Sequence, residues 1–300
     1  MGLEILSLDE VDISATISLV NKENVGSYEF IPLDVENIRS WIDKGGFRVL
    51  VAKEKRKVLG SISHHESHWG EEIEWLAVHQ FPDRKSIEDL LLLAVEKQIK
   101  TDKLFSFLDE GSSETETWAS RGYEPSGILL HLKARPSDLG PPLMVSHEVV
   151  FGHLLPGEEE KLVRVVNAGF GWKRLKTGCI QEWKTQNPPF NEEWVRTAQV
   201  DDNIISAVVA KPDTRFNDFY HKHRGYLGPA TTITEARGKN IGSELTRQAS
   251  LFLFGKGFDQ VALHTGEHNT SSLGLLKKVG FKSAHRWVLM SKSLSKSIPC

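Results

Sequence analysis

TEARGKNIGSEL, residues 234–245, is the stretch on which the reading of this chain turns. It opens on polar residues and an arginine, passes through small residues, and becomes a helix by spacing, with Ile241, Leu245, Ala249 and Phe252 on one apolar stripe. Such a helix start has two uses. Its first N–H groups have no partner within the helix, and with the positive end of the helix dipole they favour an anion. Small residues then let that anion approach the backbone. The alternative is a capped surface helix whose Asn240 and Gly242 only shape a turn. The segment just before it, GYLGPATTI (residues 225–233), reads as a strand.

Working outward, the chain reads twice. FRVLVAKEKRKVLGSIS (47–63) and VRTAQVDDNIISAVVA (195–210) both place aliphatic runs on either side of a charged turn, the mark of a hairpin. DRKSIEDLLLLAVEKQIK (83–100) lies over RGKNIGSELTRQASLFLF (237–254), with Ile87, Leu90, Leu91 and Ala94 as its stripe. Strand candidates KLFSFL (103–108) and QVALHT (260–265) follow, and each half ends on a short helix, a Gly-aromatic pair and a last strand. Four correspondences in one order, at nearly constant offset, indicate a tandem duplication. The join falls in ARPSDLGPPLMVSH (134–147), where three prolines cluster. The expected fold is α/β, two tandem domains at 1–136 and 146–300, each a mixed central sheet flanked by helices.

Composition narrows the function. The 300 residues carry 26% charged and 39% hydrophobic residues and a net charge of −3, which gives no footprint for nucleic acid. Apolar runs such as LLLLAV (90–95) are too short to span a bilayer, so no membrane partner is expected. Cys179 and Cys300 form neither a disulfide framework nor a zinc spacing, and the N-terminus lacks the features of a signal peptide; the expected location is cytoplasmic.

The second half resembles the GCN5-related N-acetyltransferase (GNAT) family. In that family a strand leads into an Arg/Gln-x-x-Gly-x-Gly/Ala loop; here Arg237, Asn240 and Gly242 hold the motif positions. Asn240 departs from the usual glycine, but asparagine is the side chain that best tolerates left-handed backbone. A second landmark, NTSSLGLLKKVGF (269–281), is similar to the family's Asn-initiated helix ending in Gly-Phe. The resemblance implies acetyl-CoA as co-substrate, held by Thr231, Thr232, Ile233, Arg237, Gly238, Lys239, Asn240, Ile241, Gly242, Ser243 and Asn269. It further implies transfer to a small-molecule or N-terminal amine in a ternary complex, by a monomer or homodimer. Tandem members such as mycothiol synthase are similar in architecture.

The catalytic side chains are less plain. The family's strand carboxylate would fall at Gly228 or Pro229, and its tyrosine acid is replaced by Leu276. An equivalent carboxylate, Glu74, stands in the first half. There the loop reads DRKSIED, with Glu88 and Asp89 where phosphates would sit, so that half is expected to lack a cofactor site. NDFYHKHRGYLG (217–228) supplies Tyr220, His221, His223 and Tyr226 near the strand, and His264 lies nearer the last helix. Tyr220, His223 and His264 are the catalytic candidates, against a solvated loop and a strand-edge histidine. Trp172, Glu182 and Trp183 are the acceptor candidates, an aromatic wall with a carboxylate for a cationic amine. HHESH (64–68) reads as a loop, and no metal is expected. Because the strand carboxylate and helix tyrosine are missing, the rival reading is a non-catalytic acyl-CoA-binding regulatory or scaffold protein.

Overall fold

A computed structural model describes residues 2–43, 46–80 and 82–294. The chain packs as two compact units, Met1–Ile128 with Arg286–Cys300, and Leu129–His285. In the first, β1 (Glu4–Ser7) leads to α1 (Ile13–Asn24) and α2 (Val35–Asp43), then β2 (Phe47–Glu54), β3 (Lys57–Ser67) and β4 (Gly70–Val78). Helix α3 (Arg84–Gln98), β5 (Lys103–Asp109), α4 (Glu114–Ala119) and β6 (Glu124–Ala134) follow. The second repeat runs β7 (Val150–His153), α5 (Glu159–Phe170), α6 (Cys179–Gln186), β8 (Val195–Val200) and β9 (Asn203–Pro212). It continues through α7 (Thr214–Tyr220), β10 (Arg224–Thr232), α8 (Ile241–Gly255), β11 (Gln260–Gly266), α9 (Thr270–Val279) and β12 (Lys282–Ser293). Apart from α7, the two series match element for element, and both hairpins, both long helices and the strands after them lie where the sequence pattern puts them.

The last strand of each repeat departs from the expected boundaries. In the second unit Leu129–Ala134 of β6 pair antiparallel with β11, Leu132 opposite Leu263. In the first unit β12 pairs antiparallel with β5, Met290 opposite Ser106. Sheet order is therefore β1-β2-β3-β4-β5-β12 in the first unit and β6-β11-β10-β9-β8-β7 in the second. The boundaries 1–136 and 146–300 follow the chain, whereas the packed units exchange their closing strands. Burial explains the preference: Met290 is fully buried among Leu104, Leu108, Trp118 and Tyr123, so the first core is complete only with a side chain from the other repeat.

Each sheet is covered on both faces, which is why its central strands read as nearly continuous apolar runs. In the first unit α3 packs Ile87, Leu91 and Val95 on Leu50, Ile62 and Ile73, while Leu19, Val20 and Ile38 of α1 and α2 meet Val49, Val51, Trp75 and Ala77 on the other face. In the second, Leu253 of α8 lies against Gly225 of β10, at 2.7 Å from where a Cβ would stand. Gly169 of α5 lies so close to Thr231 on the opposite face that any Cβ there would collide with the threonine hydroxyl. Among the described residues no helix is long and apolar enough to cross a membrane.

Candidate functional site

In the second unit β10 and β11 run parallel but pair only over Arg224–Tyr226 and Gln260–Ala262. Beyond Tyr226 each strand keeps its outer neighbour, β10 with β9 as far as Thr232 and β11 with β6 as far as Gly266, and the two part. A bulge between Leu227 and Ala230 contains Gly228 and Pro229; the proline lacks the N–H a ladder would need. Ile233 N–H bonds Ile205 O at 3.0 Å, so alternation along an antiparallel pair turns the N–H groups of Ala230 and Thr232 toward the slot where the strands part.

The slot opens onto the loop before α8. Gly238 and Asn240 both take left-handed backbone, at φ +77° and +61°, so the asparagine makes the turn expected of it. Its side chain is held outside the turn by the Met144 carbonyl at 3.3 Å and the Lys278 ammonium at 3.4 Å. Helix α8 has no side-chain N-cap, and the first intrahelical bond is Glu244 N–H to Asn240 O, which leaves the amides of Ile241, Gly242 and Ser243 without intrahelical partners. At Gly242 a Cβ would stand 2.8 Å from Thr232 Oγ1 and 3.1 Å from Leu275 Cδ1. Glycine is therefore what keeps the helix start close to β10. Arg237 clamps the loop, donating from Nε to Thr232 O at 3.0 Å and from Nη2 to Gly169 O at 2.7 Å. Lys278, bonded to Asn240, brings a second positive charge to the mouth of the cradle. Asn269 caps α9 by accepting from Ser272 N–H at 3.1 Å. A glycine-lined, uncapped helix start flanked by Arg237 and Lys278 fits a pyrophosphate.

Thr231 and Ile233 differ from Ala230 and Thr232: by the same alternation their amides turn to β9, so neither offers a backbone donor to the slot. Tyr220 and His223 precede β10, at the strand's opposite end from the loop, about 25–30 Å away at the rise of a strand. Tyr220 packs on Phe216 and Phe219, and the His223 carbonyl accepts from Asp259 N–H at 2.9 Å. Their expected catalytic role is thus displaced by geometry. His264 fares otherwise. It faces Tyr226 where the strands begin to part, Nδ1 to Oη 3.2 Å, with the His131 ring 4.6 Å away. Burial, and then Asp213, push the Tyr226 phenol up to about 12, against the lowering effect of His264, Arg174 and Arg224. Burial and then His264 push His131 down to about 2, so it stays neutral.

The acceptor candidates also divide. Trp183 is buried, edge-on to Phe190 at 5.7 Å, and belongs to the core. Glu182 accepts from Gln186 at 2.9 Å. Trp172 is partly open and meets the Arg174 guanidinium, at 5.5 Å. Sequence alone did not single out Arg174 or Lys211, and it named Tyr226 beside Tyr220 and His223 without making it a catalytic candidate. Lys211 and Tyr226 become neighbours only through the β9–β10 register, which no local motif encodes.

The first unit keeps the parted strands and loses the cradle. Strands β4 and β5 pair over Glu71–Ile73 and Leu104–Ser106 only. At the helix position corresponding to Gly242 stands Glu88, buried and bonded to Arg84 Nε at 2.7 Å and Arg121 Nη2 at 2.6 Å. Arg121 also binds Asp89 at 2.6 Å, and Arg84 binds Glu23 at 2.8 Å. A carboxylate network occupies the place of an anion. The HHESH stretch lies on β3 as far as Ser67 rather than in a loop, and His64 Nδ1 meets Glu71 at 2.5 Å in a sealed pair. Among the described residues no group of three potential ligands could hold a metal. Glu72 lies near His65, and burial followed by Glu74 raises its carboxyl to about 7.

Comparison with known proteins agrees with this geometry. Residues 161–281 match the acetyltransferase (GNAT) family. No curated protein matches the chain in sequence. Among solved structures, a tandem GNAT protein from the clavulanic acid biosynthesis pathway is similar over 99% of this chain and 100% of its own, at 14% identity and TM-score 0.69. A GCN5-related N-acetyltransferase from Sphaerobacter thermophilus covers 99% and 98%, at 15% identity and TM-score 0.67. The GCN5-related glucosamine N-acetyltransferase region of a fungal multi-domain GH3 β-N-acetylglucosaminidase reaches TM-score 0.75 at 14% identity; it covers 97% of this chain, which spans 38% of that protein. The match to the GNAT family lies within the second repeat. Its whole-length fold is that of the tandem GNAT proteins.

Proposed function

We propose that the second unit is an acetyl-CoA-dependent N-acyltransferase acting on a small-molecule or N-terminal amine, and that the first is a scaffold without a cofactor site. The observation that carries this is the pairing of an uncapped, glycine-gated helix start with a slot between parted parallel strands. The amides of Ile241, Gly242 and Ser243 would hold the pyrophosphate, and those of Ala230 and Thr232 would line the slot. Acetyl-CoA, when bound, supplies an activated acyl thioester.

Catalysis then asks little of side chains: a neutral amine, a donor to the carbonyl oxygen and a proton for the departing sulfur. The slot-facing amides offer the donor. Tyr226, held protonated by its buried setting, is suited to deliver a proton, and the hydrogen bond with His264 fixes its hydroxyl. As the N–C bond forms the C–S bond breaks, the amine's surplus proton passes to solvent or His264, and Tyr226 protonates sulfur before being reprotonated. This assignment keeps His264 and replaces Tyr220 and His223.

The test is single-turnover acetyl transfer to an amine panel by the wild type and Tyr226→Phe. Transfer by the wild type that falls in the variant, with coenzyme A affinity unchanged, is expected. Binding of acetyl-CoA with no transfer to any amine favours the regulatory or scaffold reading, for which the missing strand carboxylate and helix tyrosine are the supporting observation.

A further inference from the structure

The face of the second sheet that carries Tyr226 is lined by cations. Lys211 and Tyr226 are register partners on β9 and β10, and the lysine Nζ lies 5.6 Å over the tyrosine ring. Arg174, on the segment between α5 and α6, stands 4.6 Å over Phe170 and 5.5 Å from Trp172, and its charge is felt at Tyr226. Among the described residues neither Arg174 nor Lys211 has a carboxylate within 4.0 Å. The nearby acids are engaged elsewhere: Asp213 holds Arg224 at 2.7 Å, and Glu182 accepts from Gln186. Burial lowers the pKa of Lys211, and the more distant Asp213 and Glu182 offset this only in part; burial against Phe170 and Trp172 likewise lowers Arg174, so a directly bound anion would stabilise both cations.

The cofactor's phosphates cannot be that counter-charge. Tyr226 is six residues before Thr232, about 20 Å along the strand from the cradle, and its side chain leaves the sheet on the face opposite α8. We propose that Arg174 and Lys211 hold an anionic group, carboxylate or phosphate, of the acceptor amine, so that the substrate class is amines bearing an acid. The inference rests on the acyl-transfer reading for the word acceptor, but the anion site stands on its own residues. Arg174 presents a planar fork suited to two oxygens, Lys211 a point charge, and Phe170 and Trp172 an apolar flank for the methylenes between acid and amine. The aromatic wall expected from sequence is therefore retained in part, with the opposite charge beside it.

The test uses the full chain and three matched series: ω-amino acids from glycine to ε-aminocaproate, ω-aminoalkylphosphonates, and primary amines of equal length without an acid. Affinities are measured by calorimetry and tryptophan fluorescence, with coenzyme A titrated into the same preparation. At least one acid-bearing amine should bind about tenfold or more tightly than its acid-free partner, as expected for charge-assisted hydrogen bonds. Arg174→Gln and Lys211→Gln should each erode that preference while leaving coenzyme A affinity unchanged. Which acid series wins distinguishes carboxylate from phosphate. If no acid-bearing amine outbinds its partner, or if the preference survives both substitutions, the inference fails. A wild type that prefers acids but binds no coenzyme A would sink the acyl-transfer reading and leave the anion site in place.

Discussion

Met290→Ala tests the strand exchange, because Met290 belongs to the second repeat by sequence and to the first core by packing. The side chain is fully buried between β5 and the α4–β6 region, where Leu104, Leu108, Trp118 and Tyr123 are themselves almost wholly covered. Truncating a methionine in such a site removes its transfer energy and leaves a cavity, at a cost of about 2–5 kcal/mol. At about 3 kcal/mol the opening equilibrium of the unit shifts by roughly two orders of magnitude. Two packed units need not melt together, so a single melting temperature is the wrong readout. Hydrogen exchange resolved by segment is the right one: amides of α3 and β5 should lose protection, while those of α5 and β9 keep theirs. Loss confined to the second unit, or no loss in either, would refute the exchange.

Three further outcomes follow from the same structure. Glu72→Gln should stabilise the first unit at pH 8 by up to about 3 kcal/mol and leave it unchanged near pH 4. Its folded pKa is raised to about 7, so its contribution is intact below the unfolded value and is lost as pH rises through 7; denaturant titrations at both pH values check this. Arg121→Ala removes the partner of buried Glu88 and of Asp89 and should cost about 3 kcal/mol, read by denaturant unfolding. Tyr226→Phe should lower kcat on the order of a hundredfold without moving the acetyl-CoA Kd, measured by transfer kinetics and calorimetry on the same protein.

Much of the fold was legible because period and punctuation agreed. The stripes of 87–94 and 241–252, the charged hairpin turns and the Gly-aromatic pairs each have a local physical cause, and Asn240 took the left-handed turn its side chain tolerates. The partners of the final strands were not legible, since β6 and β12 are equally good strands for either sheet and only core burial, as at Met290, chooses between them. The site divides along the same line. Gly242 and Asn269 shape their own helix ends and could be found from motifs. Tyr226, His264, Lys211 and Arg174 meet through sheet register and a loop that folds back. Proximity in sequence therefore drew attention to Tyr220 and His223, which the strand carries to the wrong end.

Acyl transfer by the second unit depends on the cradle before α8, and acetyl-CoA titrated calorimetrically into the wild type and Gly242→Glu tests it directly. Glutamate already stands at the corresponding position of α3, so a helix accommodates it there, whereas at 242 it would meet Thr232 and place a negative charge among the amides. Binding to the wild type and none to a folded variant is the predicted result. No binding to the wild type, or equal binding to both, would contradict a working cofactor site in the second unit.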